Sequence, residues 1–220
     1  MKITYKLFAV IFTAVTLTAG GCSSREWVKP DDNGTVSFSF YIFMQIDGEK
    51  HSANGDAVLI RNSLFKFRIY DNIAGQYLMG FVSHTNGLNE MILPLDKTVV
   101  KKNDPELSRV LTGFLYLFFT ASDGSEFKNE KIVDFSIESN KIKSVSIPYG
   151  NSNLKVEVLK VTPEGYPTRL RIVGGKNWMV FDILEYRMAD FVLETGDYRE
   201  YWAESPKPFI EWIGDVYGGG

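Results

Sequence analysis

The 220-residue chain has a single cysteine, Cys22. One thiol forms no disulfide within the chain and supplies no Cys pair for a structural zinc site. Histidine is nearly as scarce, with His51 and His84 alone. No HxH or HExxH spacing occurs, so a metal centre has no sequence support. His51, beside Asp47 and Glu49, and His84, beside Ser83 and Thr85, read as exposed turn residues. Positive charge is not in excess either: 24 Lys and Arg stand against 27 Asp and Glu, for a formal charge of −3. That balance argues against a nucleic-acid binder, which needs a clustered basic face. No serine sits in a GxSxG elbow. Gly174-Gly175-Lys176-Asn177 lacks the full phosphate-loop spacing and reads as a hairpin turn. Asp182 and Glu185 qualify as paired carboxylates, but charges on the outer face of a strand account for them as well. The expectation is a protein that is not an enzyme and that uses neither cofactor nor metal.

A hydrophobic run long enough to cross a bilayer is also missing, since that takes about 20 apolar residues. The longest uncharged apolar stretch, Leu7 to Ala19, is shorter. It follows Lys2 and Lys6 and precedes Gly20 and Gly21, which is the layout of a secretory signal. The segment Leu17-Thr18-Ala19-Gly20-Gly21-Cys22 resembles the lipobox of bacterial lipoproteins. In that family cleavage precedes the cysteine, which then carries the acyl chains. Several chains on one residue hold a protein on a membrane, whereas one binds marginally. Ser23, next to Cys22, resembles the signal for outer-membrane delivery. Cleavage removes two lysines and no acid, leaving a more acidic body that faces the periplasm.

What the chain does have is aromatic residues, 14% of the total, and alternation. Residues 22–34 read as a polar tether. In Thr35 to Ile46, Phe38, Phe40, Ile42, Met44 and Ile46 fall on one face at period two. Asp47-Gly48 signals a hairpin. Strands follow at Ala53–Arg61, Leu64–Tyr70, Gln76–His84, Gly87–Pro94 and Lys97–Lys101. Later ones lie at Lys131–Glu138, Lys141–Pro148, Asn153–Val161, Thr168–Val173 and Trp178–Tyr186. Turn signals every 8–12 residues or so argue an antiparallel meander. One stretch breaks the period. Asp104 caps a helix, Pro105 fits its first position, and Leu107, Val110, Leu111, Phe114, Leu115 and Phe118 form a stripe along 105–119. The tail 189–220, rich in aromatics and with Pro206 and Pro208, reads as a loop with one short helix that packs on the sheet edge.

Strands, then an apolar helix, then strands, behind a lipobox, resemble the LolA/LolB lipoprotein-sorting proteins. The carrying residues are Gly55-Asp56-Ala57-Val58-Leu59-Ile60, Leu64 to Tyr70, Asn72 to Gln76, Gly165 to Ile172 and Phe181-Asp182-Ile183. The resemblance spans roughly residues 35 to 187. It implies a mainly β (α+β) fold: an open antiparallel β-barrel over 35–188, with an amphipathic helix packed in its concave face. It also implies a hydrophobic cavity for lipid or lipoprotein acyl chains.

The candidate lining comes from the apolar faces: Phe38, Phe40, Ile42 and Met44 of the first strand, Phe65, Phe67 and Ile69 of the third, and Met79 and Phe81 of the fourth. The helix adds Leu107, Val110, Leu111, Phe114, Leu115 and Phe118. Met44, Met79 and Met91 offer adaptable surface. Two functions fit this pattern. The first is an outer-membrane lipoprotein, anchored through Cys22, that binds acyl chains or lipid and serves lipoprotein localisation. The second is an envelope assembly or scaffold lipoprotein with a filled barrel that binds other envelope proteins. Both place the same side chains inside, so the sequence does not separate them.

Overall fold

The computed structural model describes residues 34–46, 48–71, 74–119, 134–139, 141–187 and 191–204. The signal segment 1–21, Cys22, the tether up to residue 33 and the tail 205–220 lie outside the described residues.

Among the described residues twelve strands form one sheet. They are β1 (Thr35–Ile46), β2 (Glu49–Ile60), β3 (Leu64–Tyr70), β4 (Tyr77–His84), β5 (Leu88–Leu93) and β6 (Thr98–Asn103), then β7 (Asp134–Glu138), β8 (Lys141–Tyr149), β9 (Ser152–Val161), β10 (Pro167–Gly174), β11 (Asn177–Arg187) and β12 (Arg199–Trp202). The spatial order is β12-β6-β5-β4-β3-β2-β1-β11-β10-β9-β8-β7. The meander β1–β6 and the meander β7–β11 are joined by the antiparallel pairing of β1 with β11. The sheet does not close, and β12 and β7 are its edges.

Alternation decides which face is buried. Phe38, Phe40, Ile42 and Met44 of β1, and Phe65, Phe67 and Ile69 of β3, point into one core with Leu170 and Ile172 of β10 and Phe181 and Ile183 of β11. A bulge at Ser39/Phe40 shifts the β1–β11 register and bends the sheet over this core. The core is aromatic at its centre: the Phe40 ring lies 5.1 Å from Phe181 and 6.3 Å from Phe67. Opposite faces carry ion pairs, among them Arg68–Asp56 at 3.2 Å and Arg171–Glu157 at 3.3 Å.

The period break at residue 104 is a helix in three joined pieces: α1 (Pro105–Arg109), a π-helical turn (Val110–Phe114) and α2 (Leu115–Leu117). The Asp104 carboxylate accepts from the Leu107 amide at 3.0 Å, and Pro105 occupies the first turn. Phe118 and Phe119 continue the chain past the helix and are fully buried.

Two segments differ from expectation. β2 starts at Glu49 rather than Ala53. Glu49 to Ser52 pair with Phe43 to Ile46 but stay exposed, so no burial pattern marks them. Part of the tail, expected as loop and helix, is strand β12, which runs parallel to β6. The approach to it crosses the convex face. Phe191 lies under the Arg68 guanidinium at 4.3 Å, and its carbonyl accepts from Lys66 Nζ. Leu193 and Tyr198 then pack on a small second cluster, Val82, Ile92 and Val99.

Candidate ligand-binding cavity

Three hairpins turn at one end of the central sheet: β1–β2 near residues 46–49, β3–β4 near 70–77 and β10–β11 near 174–177. Beneath this end, on the concave face, lies a partly open cavity of about 390 Å³. Its wall is built row by row. Met44 of β1 faces Met179 of β11, which faces Ile172 of β10. The next row inward is Ile42 between Phe181 and Ala53. Phe65, Phe67 and Ile69 of β3 and Leu78, Met79 and Phe81 of β4 form the flank. Leu107 and Leu111 of the helix close the inner side.

The space exists because large residues are missing in two places. The inner face of β2 carries Ala53, Gly55 and Ala57, so a strip between the bulky rows of β1 and β3 is shallow. A Cβ on Gly55 would lie 2.5 Å from the Phe40 ring, which therefore rests on bare backbone. The far end is filled by the chain just past the helix. Phe119 stacks 5.7 Å from Phe38 and meets the Tyr186 ring edge-on at 5.9 Å. Phe38 lies six residues before Met44, so this plug sits about 20 Å from the mouth, at about 3.3 Å per residue. Burial pushes the Tyr186 hydroxyl far above the usual phenol range, and it donates to the Pro167 carbonyl at 2.6 Å.

Buried polar groups fix the helix in place. Asn89 of β5 donates to Gly87 O at 2.9 Å, Asp104 O at 3.1 Å and Ser108 Oγ at 3.0 Å. Ser83 of β4 donates to Ser108 Oγ at 3.1 Å. From the other half of the sheet, Tyr149 of β8 donates to the Asp104 carboxylate at 2.6 Å. Asp104 therefore caps the helix and also joins the two meanders. This leaves Leu107 and Leu111 aimed at the cavity with little freedom to shift.

Of the residues proposed from sequence, Ile42, Met44, Phe65, Phe67, Ile69, Met79, Phe81, Leu107 and Leu111 come together around the cavity. Phe38, Phe40, Val110, Phe114, Leu115 and Phe118 are buried in the core away from it. Phe114 lies instead against the Arg109 guanidinium, 5.6 Å from its ring. Met91 is core as well. Sequence reasoning missed Ala53, Leu78, Ile172, Met179 and Phe181, and also Lys50, His51 and Ser52 at the mouth. A hydrophobicity signal for Ile172 and Phe181 was present; none existed for the polar three.

The other candidates fall elsewhere. Asp182 accepts two hydrogen bonds from Arg169, and Glu185 one from Arg187, so they do not act as a pair. His84 lies 3.3 Å from Glu90. Gly174 to Asn177 form the β10–β11 turn. Among the described residues no three His, Cys, Asp or Glu side chains gather to hold a metal, and no helix is long and apolar enough to cross a membrane.

No family model matches the chain, and no curated protein matches it. Solved structures similar to it include a LolA superfamily protein from Nitrosomonas europaea, at 8% identity and TM-score 0.46, covering 74% of this chain and 89% of that one. A domain from Vibrio parahaemolyticus, assigned to outer membrane lipoprotein sorting, matches at 12% identity and TM-score 0.40, over 72% and 87%. LprF from Mycobacterium bovis matches at 11% identity and TM-score 0.29, over 72% and 89%. The open sheet with a helix packed on its concave face is read from this chain's own strand order and core.

Proposed function

We propose that this chain is a non-enzymatic envelope lipoprotein, anchored to the outer membrane through Cys22 and facing the periplasm, that holds lipid or a lipoprotein acyl chain in its half-barrel. The observation that carries this reading is the cavity. It measures about 390 Å³, and 14 of its 17 lining residues are apolar. Pockets for small ligands run from about 300 to 1,000 Å³ and are mostly apolar with few polar groups. Burial of each methylene contributes about 0.8 kcal/mol, so a chain of moderate length binds without any strong polar contact. A filled barrel, the condition of the scaffold alternative, does not agree with this space.

Ala53→Phe tests the reading. Ala53 is buried on β2 and lines the cavity, so a phenyl ring there occupies ligand volume rather than displacing core atoms. Native mass spectrometry of protein purified without detergent is expected to show co-purifying lipid on the unsubstituted chain. Ala53→Phe is expected to lose that lipid while keeping its circular dichroism spectrum. An unsubstituted chain that carries no lipid and takes up none when lipid is added rejects the reading. The anchor is tested apart from the cavity. Cys22→Ser, with its signal still removed, is expected to leave the membrane fraction for the soluble periplasmic one; retention in the membrane rejects lipidation.

A further inference from the structure

We infer that the ligand is a single-chain amphiphile with an anionic head group, a carboxylate or a phosphate, bound chain-inward with its head at Lys50 and His51. The inference rests on the acyl-binding reading above and adds to it a chain number, an orientation and a charge.

The polarity of the lining is segregated. Lys50, His51 and Ser52, consecutive on β2, are its polar residues, and the other 14 are apolar. All three lie at the hairpin end, where the cavity meets solvent, and all three are exposed. A ligand that is greasy throughout gains nothing from such a rim. One with a polar end is held in a single orientation, its chain running down between Met44, Met79 and Met179 toward Leu107 and Leu111.

The sign of the rim follows from its groups. Strand alternation puts His51 on the inner face, in the row of Ala53 and directly opposite Met44. An imidazole donates a hydrogen bond in either protonation state, and Lys50, which alternation places on the other face of β2, lines the mouth at the hairpin end and adds a positive charge there. Among the described residues no carboxylate lines the cavity. Glu49, on the same face of β2 as His51, approaches His51 Nε2 at 3.7 Å with its side chain 69% exposed, and it is not among the lining residues. The rim therefore offers the His51 imidazole and the Lys50 ammonium to a head group, with Glu49 the described acid beside them.

The volume sets the chain number. At about 390 Å³ the space lies near the low end of the range for small-ligand pockets. The plug at Phe118 and Phe119 closes the far end, so there is no continuation for a second chain. One acyl chain fits, and the several chains of a mature lipoprotein do not fit together.

The test is competition for a neutral fluorescent probe, N-phenyl-1-naphthylamine, on the purified full chain. Four competitors share a fourteen-carbon chain: myristate, methyl myristate, myristoyl lysophosphatidic acid and monomyristoyl glycerol. At least one anionic member is expected to compete about five-fold better than its neutral counterpart, the size that half-exposed charge pairs give. The pair showing the preference names the head group, and a preference in both pairs supports the shared chemistry. Lys50→Ala/His51→Ala is expected to abolish the preference between the anionic and neutral members of each pair. Equal competition within both pairs, or a preference that survives in the double variant, overturns the inference while leaving acyl binding standing. Failure of all four to displace the probe overturns the acyl-binding reading with it.

Discussion

Phe40→Ala is expected to lower the unfolding free energy by about 4 kcal/mol, in the range for truncating a fully buried phenylalanine. Phe40 has no exposed surface and sits where β1 lies between β2 and β11. Its ring touches the aromatic cluster on both sides, 6.1 Å from Phe38 and 5.1 Å from Phe181. It also covers the backbone of Gly55. Truncation removes these contacts and leaves a hole that nearby groups fill poorly, because sheet hydrogen bonds hold both neighbouring strands. Phe43→Ala on the same strand is the control. Its side chain lies on the outer face and is 40% exposed, so the loss is expected to stay within about 1 kcal/mol. Urea denaturation followed by tryptophan fluorescence measures both. Equal losses for the two variants reject the assignment of inner and outer faces.

Much of this was legible in the sequence, because the facts involved are local. Alternation in Thr35 to Ile46 and in Leu64 to Tyr70 records a sheet with one buried face, and the structure buries Phe38, Phe40, Ile42, Met44, Phe65, Phe67 and Ile69. Asp104-Pro105 signals a helix start through groups adjacent in the chain, and the cap forms as expected. Other elements rest on distant partners. Glu49 to Ser52 and Arg199 to Trp202 are strands because another strand offers them hydrogen bonds, and neither buries a face that leaves a pattern. The cavity is less local still. The sequence shows which residues face inward but not which of them touch each other. Phe114 and Leu111 lie on the same stripe, yet one is core and the other wall. What separates them is how far the helix reaches along β1, a matter of long-range packing. The small residues Ala53, Gly55 and Ala57 carried the missing signal: an inner face without bulk between two faces rich in phenylalanine.

Gly55→Val is expected to destabilise the chain by about 3 kcal/mol, and its effect is expected to be coupled to that of Phe40→Ala. A Cβ at residue 55 would lie 2.5 Å from the Phe40 ring and closer still to the Arg68 carbonyl oxygen, separations that real Cβ atoms essentially never show. The objection is steric and not conformational, since residue 55 is not among the glycines of positive φ. Both neighbours are held. Arg68 is paired with Asp56 in the β2–β3 ladder, and Phe40 is packed against Phe181. To admit the branched side chain the β2–β3 pair must spread and the ring must turn into the cavity, so lipid binding and stability fall together. Overpacking of this kind typically costs about 1–3 kcal/mol, and with a backbone clash added the upper end is expected. In a Phe40→Ala background one of the two obstacles is gone. The cost of Gly55→Val is then expected to shrink by about 1–2 kcal/mol, the residual coming from the Arg68 carbonyl. The measurement is a double-mutant cycle on urea midpoints. Additive losses would show that the ring does not rest on Gly55, and the small residues of β2 would then need a cause other than the room the Phe40 ring takes.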